Sequence, residues 1–588
     1  MKNFFNYVLA SMLGTFLVLF VFFIINLVIL GGIISSSGVF SEKETVVPEN
    51  SVLILSFKNA VAEKASVKPD FGTLKFRKTL SLKSVTDAIK KAKTDDRIKG
   101  IYLDLSLLNT GFASTEELRN ALKDFKSSGK FITAHSDLYT HKSYYLASVA
   151  DKVYLTPGGI LQFSGLSAQL VFFKSLLDKI GIEPQIIRHG KFKSAVEPFM
   201  SDEMSDANKE QTMRFISSLW GSLLKAVSEE RHIPVAELNK YADELSAADA
   251  KDALKLNLVD GLKYEDQIIQ ELKQKTGISE DKSLNEINLT DYIASTKDIK
   301  EILENKENNI AVIYADGEIV DGEGTEEQAG SKTLSEAIRK AREDESVKAV
   351  VLRINSPGGS ALASEVIWRE TVLTGQNKPF MVSMGNLAAS GGYYIACGAD
   401  TIVAEPTTLT GSIGVFGILF NAKELMNKLG ININTVNTNK YSDIGSPAKK
   451  LSDYERGIIK KAIEDVYSTF IAHVAEGRKI SEDSVDAIGQ GRIWSGEDAL
   501  KIGLVDTLGG LETAINIAAE KAGLKTYGIK YYPEKDKFSL LLENMLNEAK
   551  TSLIKNELES AYPYYEKLKN VKNMSGIRAQ IPYYLEIK

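Results

Sequence analysis

The chain carries one structural unit written twice. Residues 85–193 and 334–442 match without a gap when 249 is added to the earlier number: Phe131 meets Phe380, Tyr144 and Tyr145 meet Tyr393 and Tyr394, Asp151 meets Asp400, and Gly181 meets Gly430. A second match, at a shift of 246, joins residues 253–262 to 499–508. Two copies of a unit fold alike, so the positions where they differ carry the specific information. Under the first shift Ser390 falls on His141 and Lys193 falls on Ser442. Neither half holds both the serine and the lysine, so the duplication predicts a single site assembled from two units.

A chain of 588 residues exceeds what one hydrophobic core supports, and two domains with appendages fit that length. A net charge of -6 with Lys and Arg scattered along the chain gives no sign of a nucleic-acid partner. The single cysteine, Cys397, excludes an internal disulfide, and without clusters of Cys and His no zinc or iron-sulfur site, and no cofactor, is expected. Cys397 reads as a small core residue.

The first forty residues are of a different character. Between Lys2 and Glu42 there is no charged side chain, and residues 7–34 are almost continuously apolar. That is enough for a helix across a hydrocarbon core of ~30 Å. A cleaved signal peptide is the competing reading, but its apolar region is typically about 7–15 residues and ends at an Ala-x-Ala-like site, which this stretch lacks. The expectation is a retained transmembrane helix, with the remainder of the chain on the exported side of the membrane.

Each unit opens on an apolar strand-like run, 51–57 or 310–314, followed by an amphipathic helix, 84–93 or 334–342, and a buried-looking strand, 100–105 or 349–354. This alternation predicts α/β units with mostly parallel sheets. Residues 265–305 are polar, Lys/Glu-rich and partly helical and read as the connection, and residues from about 526 onward have no counterpart in the first half and read as a helical extension with a Tyr-rich tail. The expected divisions are 1–45 (membrane anchor and stalk), 46–300 (first unit and connection, supplying the lysine), 306–525 (second unit, supplying the serine) and 526–588 (C-terminal extension).

The largest departure between the copies follows equivalent strands. The second reads Asn355-Ser356-Pro357-Gly358-Gly359-Ser360 where the first reads Ser106-Leu107-Leu108-Asn109-Thr110-Gly111. A Pro-Gly-Gly run at a strand end exposes backbone N–H groups, which suits an oxyanion hole as well as a plain tight turn. Ser390 lies after the strand-like 380–384 and before an apolar helix starting at Gly391, a place that suits a nucleophile and equally a helix N-cap. A nucleophilic serine needs a base. The five histidines, His135, His141, His189, His232 and His473, sit in no recurrent setting with an aspartate. A lysine serves if burial populates its neutral amine, and Lys193 is followed by a short apolar segment that could cover it, while Lys191 would point the other way on an extended chain.

Four segments, Lys-Ser-Ala-Val-Glu-Pro-Phe at 193–199, Asn-Ser-Pro-Gly-Gly-Ser at 355–360, Ala-Ser-Gly-Gly-Tyr-Tyr at 389–394 and Leu-Thr-Gly-Ser-Ile-Gly at 409–414, make the chain resemble the signal peptide peptidase A family. The resemblance is to its long, two-repeat, membrane-anchored bacterial form, within the crotonase and ClpP-like superfamily, and covers about residues 50–525. It implies tandem ClpP-like α/β units and a serine endopeptidase. Ser390 would be the nucleophile, Lys193 the general base, Ser412 the residue supporting the base, and Gly359 and Gly391 the oxyanion hole. It also implies peptide substrates such as signal-peptide remnants, a homo-oligomer (a tetramer in that family) and a place in the bacterial inner membrane facing the periplasm. Acyl-CoA chemistry on a crotonase-like scaffold and a non-catalytic membrane scaffold are the alternatives; the first would need no paired lysine.

Overall fold

The computed structural model describes residues 7, 11–22, 46–57, 61–70, 75–105, 108–295, 307–533, 576–581 and 585–587. Its first unit is built on β1 (Ser51–Ser56), β2 (Ile98–Asp104), β3 (Phe131–Tyr139) and β4 (Lys152–Leu161), with α1 (Leu82–Thr94), α2 (Phe112–Lys126) and α3 (His141–Ala147) between them. A short strand β5 (Ala168–Leu170) and then β6 (Glu183–Arg188) lead to the long helix α4 (Asp206–Arg231). With β7 (Gly261–Leu262) and β8 (Glu286–Asn288), the four main strands form a parallel sheet in the order β7-β4-β3-β2-β1-β8. Residues 265–295, expected as a partly helical connection, form two helices, and in addition the strand β8, which completes this sheet.

The second unit repeats the plan with β9 (Asn309–Asp316), β10 (Glu318–Val320), β11 (Gln328–Gly330), β12 (Val347–Ser356), β13 (Gly358–Ser360), β14 (Phe380–Ala389), β15 (Thr401–Ala404), β16 (Leu409–Gly411) and β17 (Phe416–Asn421). Its helices are α5 (Ser331–Glu343), α6 (Ala361–Gly375), the single turn α7 (Gly391–Tyr394) and α8 (Asp453–Arg478), and it closes on β18 (Ile493–Ser495), β19 (Thr507–Leu508) and β20 (Gly528–Tyr532). The central strand β12 is buried along nearly its whole length, which is why its centre, residues 349–352, reads as a continuous apolar run rather than an alternating one. The two units share their internal ties: the hydroxyls of Tyr144 and Tyr393 donate to the carbonyls of Leu258 and Leu504, and the carboxylates of Asp260 and Asp506 accept from the N–H of Val153 and Ile402.

The units are joined by buried polar contacts. Arg353 on β12 has no exposed side-chain surface, and its guanidinium donates to Glu63 at 2.9 and 3.0 Å and to Glu117 at 2.5 Å, both from the first unit. Breaking such a buried set by removing one partner typically costs about 3–5 kcal/mol, because the remaining charge is left uncompensated. A third sheet also crosses the junction: β6 of the first unit pairs antiparallel with β17 of the second over residues 183–188 and 416–421.

Two expectations need correction or restriction. The extension beyond 526 is expected to be helical; its residues 534–575 lie outside the described residues, and the parts that are described form strands: β20, β21 (Gly576–Gln580) and β22 (Leu585–Ile587). The physical reason is that these residues find open sheet edges, β20 on β9, β21 between β13 and β17, and β22 on β5. Most of the apolar stretch 7–34 lies outside the described residues. Within it residues 11–22 are helical and exposed, and among the described residues no helix is long and apolar enough to cross a membrane.

Candidate functional site

Ser390 stands where β14 ends and α7 begins. Its backbone has φ 55° and ψ -111°, a conformation that L-residues other than glycine rarely adopt. Its N–H donates to the carbonyl of Gly411 at 2.8 Å, which holds this corner in place. The flanking glycines have a steric reason: a Cβ on Gly391 would lie 2.7 Å from the Ser364 hydroxyl, and one on Gly392 would lie 2.8 Å from the Ser356 carbonyl. The result is a side chain turned out of the strand end, the geometry by which a nucleophile is presented above an α/β sheet.

Lys193 arrives from the other unit. β6 carries the chain along β17, and the loop after Arg188 is then fixed at several points. The N–H of His189 donates to the Val415 carbonyl (2.9 Å), the N–H of Phe192 to the Gln490 carbonyl (2.8 Å), and the Arg188 guanidinium to the Lys193 carbonyl (3.0 Å). Gln211 on α4 donates to the Phe192 carbonyl and the Ser194 hydroxyl at 3.0 and 2.9 Å. Behind the lysine, Gly491 (φ +80°) leaves no room for a side chain, since a Cβ there would lie 2.7 Å from the Lys193 backbone. Ala195, Val196 and Phe199, which follow the lysine, are all buried and pack in one apolar cluster with Phe416 and Ile418 of β17.

The amine of Lys193 donates to Ser390 Oγ at 2.7 Å and also contacts the carbonyl and hydroxyl oxygens of Ser412 at 3.3 and 3.2 Å. Lys193 is 1 % exposed and Ser390 is fully buried. Among the described residues Lys193 makes no ion pair, and burial alone holds its pKa well below the ordinary lysine value. An uncharged amine so placed can take the proton of the serine hydroxyl. Ser412 itself has φ 50° and donates from its hydroxyl to the Gly491 carbonyl at 3.2 Å.

The Pro-Gly-Gly loop closes the third side. Gly358 (φ +93°) lies so near the corner that a Cβ on it would be 2.6 Å from the Gly391 nitrogen, and its own N–H is engaged by the Ser356 hydroxyl at 3.2 Å. Gly359 pairs with Ile319 on β10 and with Ala579 on β21. Thus Ser390, Lys193, Ser412 and Gly391 converge, with Gly358 packed against Gly391 and Gly359 the next residue along the loop. Lys191, by contrast, is exposed, with its amine 5.2 Å from the Phe192 ring.

The equivalent corner of the first unit is closed. His141 is buried, accepts from the Ser164 N–H at 3.2 Å and packs edge-on against Trp220, and burial pushes its pKa down to about 4. Ser442 is exposed and bonded within its own turn. Of the other histidines, His189 pairs with Glu464 (2.6 Å) and His473 with Glu365 (3.1 Å). Gln211, Arg188 and Gly491 were not singled out in the sequence. Gln211 had a usable signal: α4 and α8 are both 26 residues long, and its counterpart on α8 is the apolar Ile458.

A buried serine hydroxyl against a buried lysine amine, on a duplicated α/β frame, suits a hydrolase working through an activated hydroxyl. The model of peptidase family S49 matches residues 124–279 and 373–525. The chain is 36% identical over 557 residues to "Protease 4" of Salmonella typhi, covering 91% of this chain and 89% of that protein. It is 33% identical over 483 residues to "Serine protease SPPA, chloroplastic" of Arabidopsis thaliana, covering 81% and 70%. Among solved structures it is similar to a ClpP1 variant from Listeria monocytogenes, with a TM-score of 0.25 at 15% identity, over 37% of this chain and 98% of that one. The chain belongs to peptidase family S49, and it is a serine peptidase.

Proposed function

We propose that the protein is a membrane-anchored endopeptidase in which Ser390 is the nucleophile and Lys193 the general base. The observation that carries this reading is the 2.7 Å contact between the buried amine of one unit, whose pKa burial lowers, and the strained serine of the other. Lys193 takes the hydroxyl proton as Oγ attacks the peptide carbonyl, and Ser412 keeps the amine aimed at Oγ. The N–H groups of Gly359 and Gly391 receive the developing negative charge, a contribution typically of about 3–4 kcal/mol per well-placed donor. The protonated lysine then gives its proton to the leaving amine, and water releases the acyl group by the reverse sequence. Relatives called Protease 4 and SPPA support peptide substrates, which we assign as cleaved signal peptides and other exported or membrane-released peptides. The apolar stretch 7–34 supports an anchor in the bacterial cytoplasmic membrane with residues 46–300 and 306–525 on the exported side. Treatment of the full chain with a fluorophosphonate followed by peptide mapping is expected to place the adduct on Ser390; an adduct on another residue would sink the assignment.

The repeat also argues for a homo-oligomer. In the first unit β6 finds its partner in β17, but the segment equivalent to β6 in the second unit, residues 432–437, pairs with no strand among the described residues and is exposed, Val436 at 98%. The first-unit counterpart of β17 includes β5, which pairs with β22 alone among the described strands. A second copy's β5 laid on 432–437 repeats the β6–β17 pairing, and such head-to-tail contacts form a ring when the rotation closes. Sedimentation of the detergent-solubilised protein is expected to show an oligomer that Val436→Asp weakens. A wild-type monomer would count against this interface.

A further inference from the structure

The hydrogen bonds around the serine and lysine close into a circuit, and one side chain completes it. Gln211 on α4 has no exposed surface. Its Nε2 donates to the Phe192 carbonyl and the Ser194 hydroxyl at 3.0 and 2.9 Å, on either side of Lys193, with Asn208 Oδ1 a third acceptor at 3.2 Å. Its Oε1 accepts from the Ile493 N–H of the second unit at 3.2 Å. From Ile493 the path runs back to the reacting groups. Ile493 stands opposite Gly411 where β18 pairs with β16, and the Gly411 carbonyl holds the Ser390 N–H at 2.8 Å. The two residues before Ile493 serve Ser412: the Arg492 carbonyl accepts from its N–H at 2.7 Å, and the Gly491 carbonyl from its hydroxyl at 3.2 Å. Ser412 in turn meets the Lys193 amine at 3.2 and 3.3 Å.

A carboxamide suits this place for a stated reason. The Phe192 carbonyl can only accept and the Ile493 N–H can only donate, so the side chain between them must offer a donor to one and an acceptor to the other. Glutamate would set a carboxylate against the Phe192 carbonyl, and methionine, of similar length, would leave both main-chain groups without this partner. The second unit has no lysine loop to hold, and at the equivalent position α8 carries Ile458, which is 46% exposed.

The docking of α4 does not depend on this side chain. Residues 211, 214, 215 and 218 share one face of the helix. Arg214 donates to both carboxylate oxygens of Asp498 at 2.8 Å, Ser218 donates to the Ser495 hydroxyl at 2.8 Å, and Phe215 packs in an apolar cluster with Ala389 and Ile493. Of the four, Gln211 alone bonds to the main chain beside the lysine.

We infer that Gln211 is a positioning residue of the site: its amide sets the lysine loop of one unit against the strand of the other that supports Ser390 and Ser412, and so fixes the approach of amine to hydroxyl. The inference rests on Ser390 and Lys193 being nucleophile and base. Fully buried, Gln211 offers no surface to a peptide, so its loss acts on kcat rather than KM. A loop released from this clamp lets the amine reach water, which favours its protonated form.

The test compares the full-length wild type with Gln211→Met, Gln211→Glu and Arg214→Met. Both changes at 211 are expected to lower kcat by about 10²-fold, the scale of a misplaced catalytic group, with KM within about 2-fold. The rising limb of kcat/KM should move to higher pH in both. In Gln211→Met the charged side chains bonded to this loop or packed beside it, Arg188, Glu197, Glu210 and Arg492, are unchanged, so a moved limb reports the setting of the amine. Arg214→Met breaks a tie on the same helix face outside the circuit and should keep both kcat and the limb near wild type. Wild-type kcat in Gln211→Met would overturn the role. So would a loss of kcat with the limb unmoved, one matched by Arg214→Met, or one accompanied in both variants at 211 by a collapsed thermal midpoint, since each marks a merely structural tie. Full activity of Lys193→Met would instead overturn the assignment of the base.

Discussion

Ser390→Ala is expected to abolish peptide hydrolysis and leave the protein folded. Removal of the nucleophile from a serine peptidase reduces turnover by about 10⁶-fold, because the acyl-enzyme route is lost and only binding and oxyanion stabilisation remain. The hydroxyl oxygen is engaged by Lys193 at 2.7 Å and lies 3.4 Å from the Gly414 carbonyl, so its loss deletes one buried hydrogen-bonding group and no apolar packing. The corner itself is held by backbone bonds that alanine keeps, among them the 2.8 Å bond from residue 390 to Gly411. Alanine at φ 55° is as strained as serine, so the thermal midpoint should move little. Residual cleavage near the wild-type rate, measured with a fluorogenic peptide, would place the nucleophile elsewhere.

The repeat made much of this site legible. Matching the two halves at one fixed shift identified Ser390 and Lys193 as features each copy has alone, and the third sheet supplies the reason they meet: β6 leaves the first unit and pairs with β17 of the second. The strand and helix alternation translated directly into two parallel sheets, since strands such as β12, buried along most of their length, carry an apolar run at their centre, here residues 349–352. What escaped the sequence belongs to residues whose roles exist only across the junction. Arg353 corresponds to Asp104 in the first copy, a difference that was visible, but its partners Glu63 and Glu117 lie far away in sequence and carry no local signal. Gly491 is needed for its φ of +80° and because the Lys193 backbone passes against it, and the second reason carries no local signal. β21 and β22 were missed because the extension has no counterpart to compare, and because a short segment becomes a strand when an open edge receives it rather than through its own periodicity.

The second large effect concerns Lys193. Lys193→Met keeps the length and apolar stem of the side chain and removes the base. Loss of a positioned base typically lowers the rate by ~10²–10⁴, and the exposed Lys191→Met is expected to be mild. Burial lowers the Lys193 pKa, so the amine is protonated only below that reduced value. Wild-type kcat/KM should therefore rise with pH through it and level off above, and a rate that falls as pH rises toward the ordinary lysine value would argue against a lysine base. Stability follows the same proton. In the interval between the reduced folded value and the ordinary lysine value near 10.4, the unfolded chain holds a proton that the folded chain lacks. The contribution of Lys193 is thus fullest above the unfolded value and declines as pH falls through that interval. Methionine has no proton to exchange and no amine to desolvate. The variant should accordingly lose activity while matching or exceeding the wild-type thermal midpoint at pH 7. An inactive variant that is also much less stable would mark Lys193 as a structural tie between the units and return the search for the base to the other groups around Ser390.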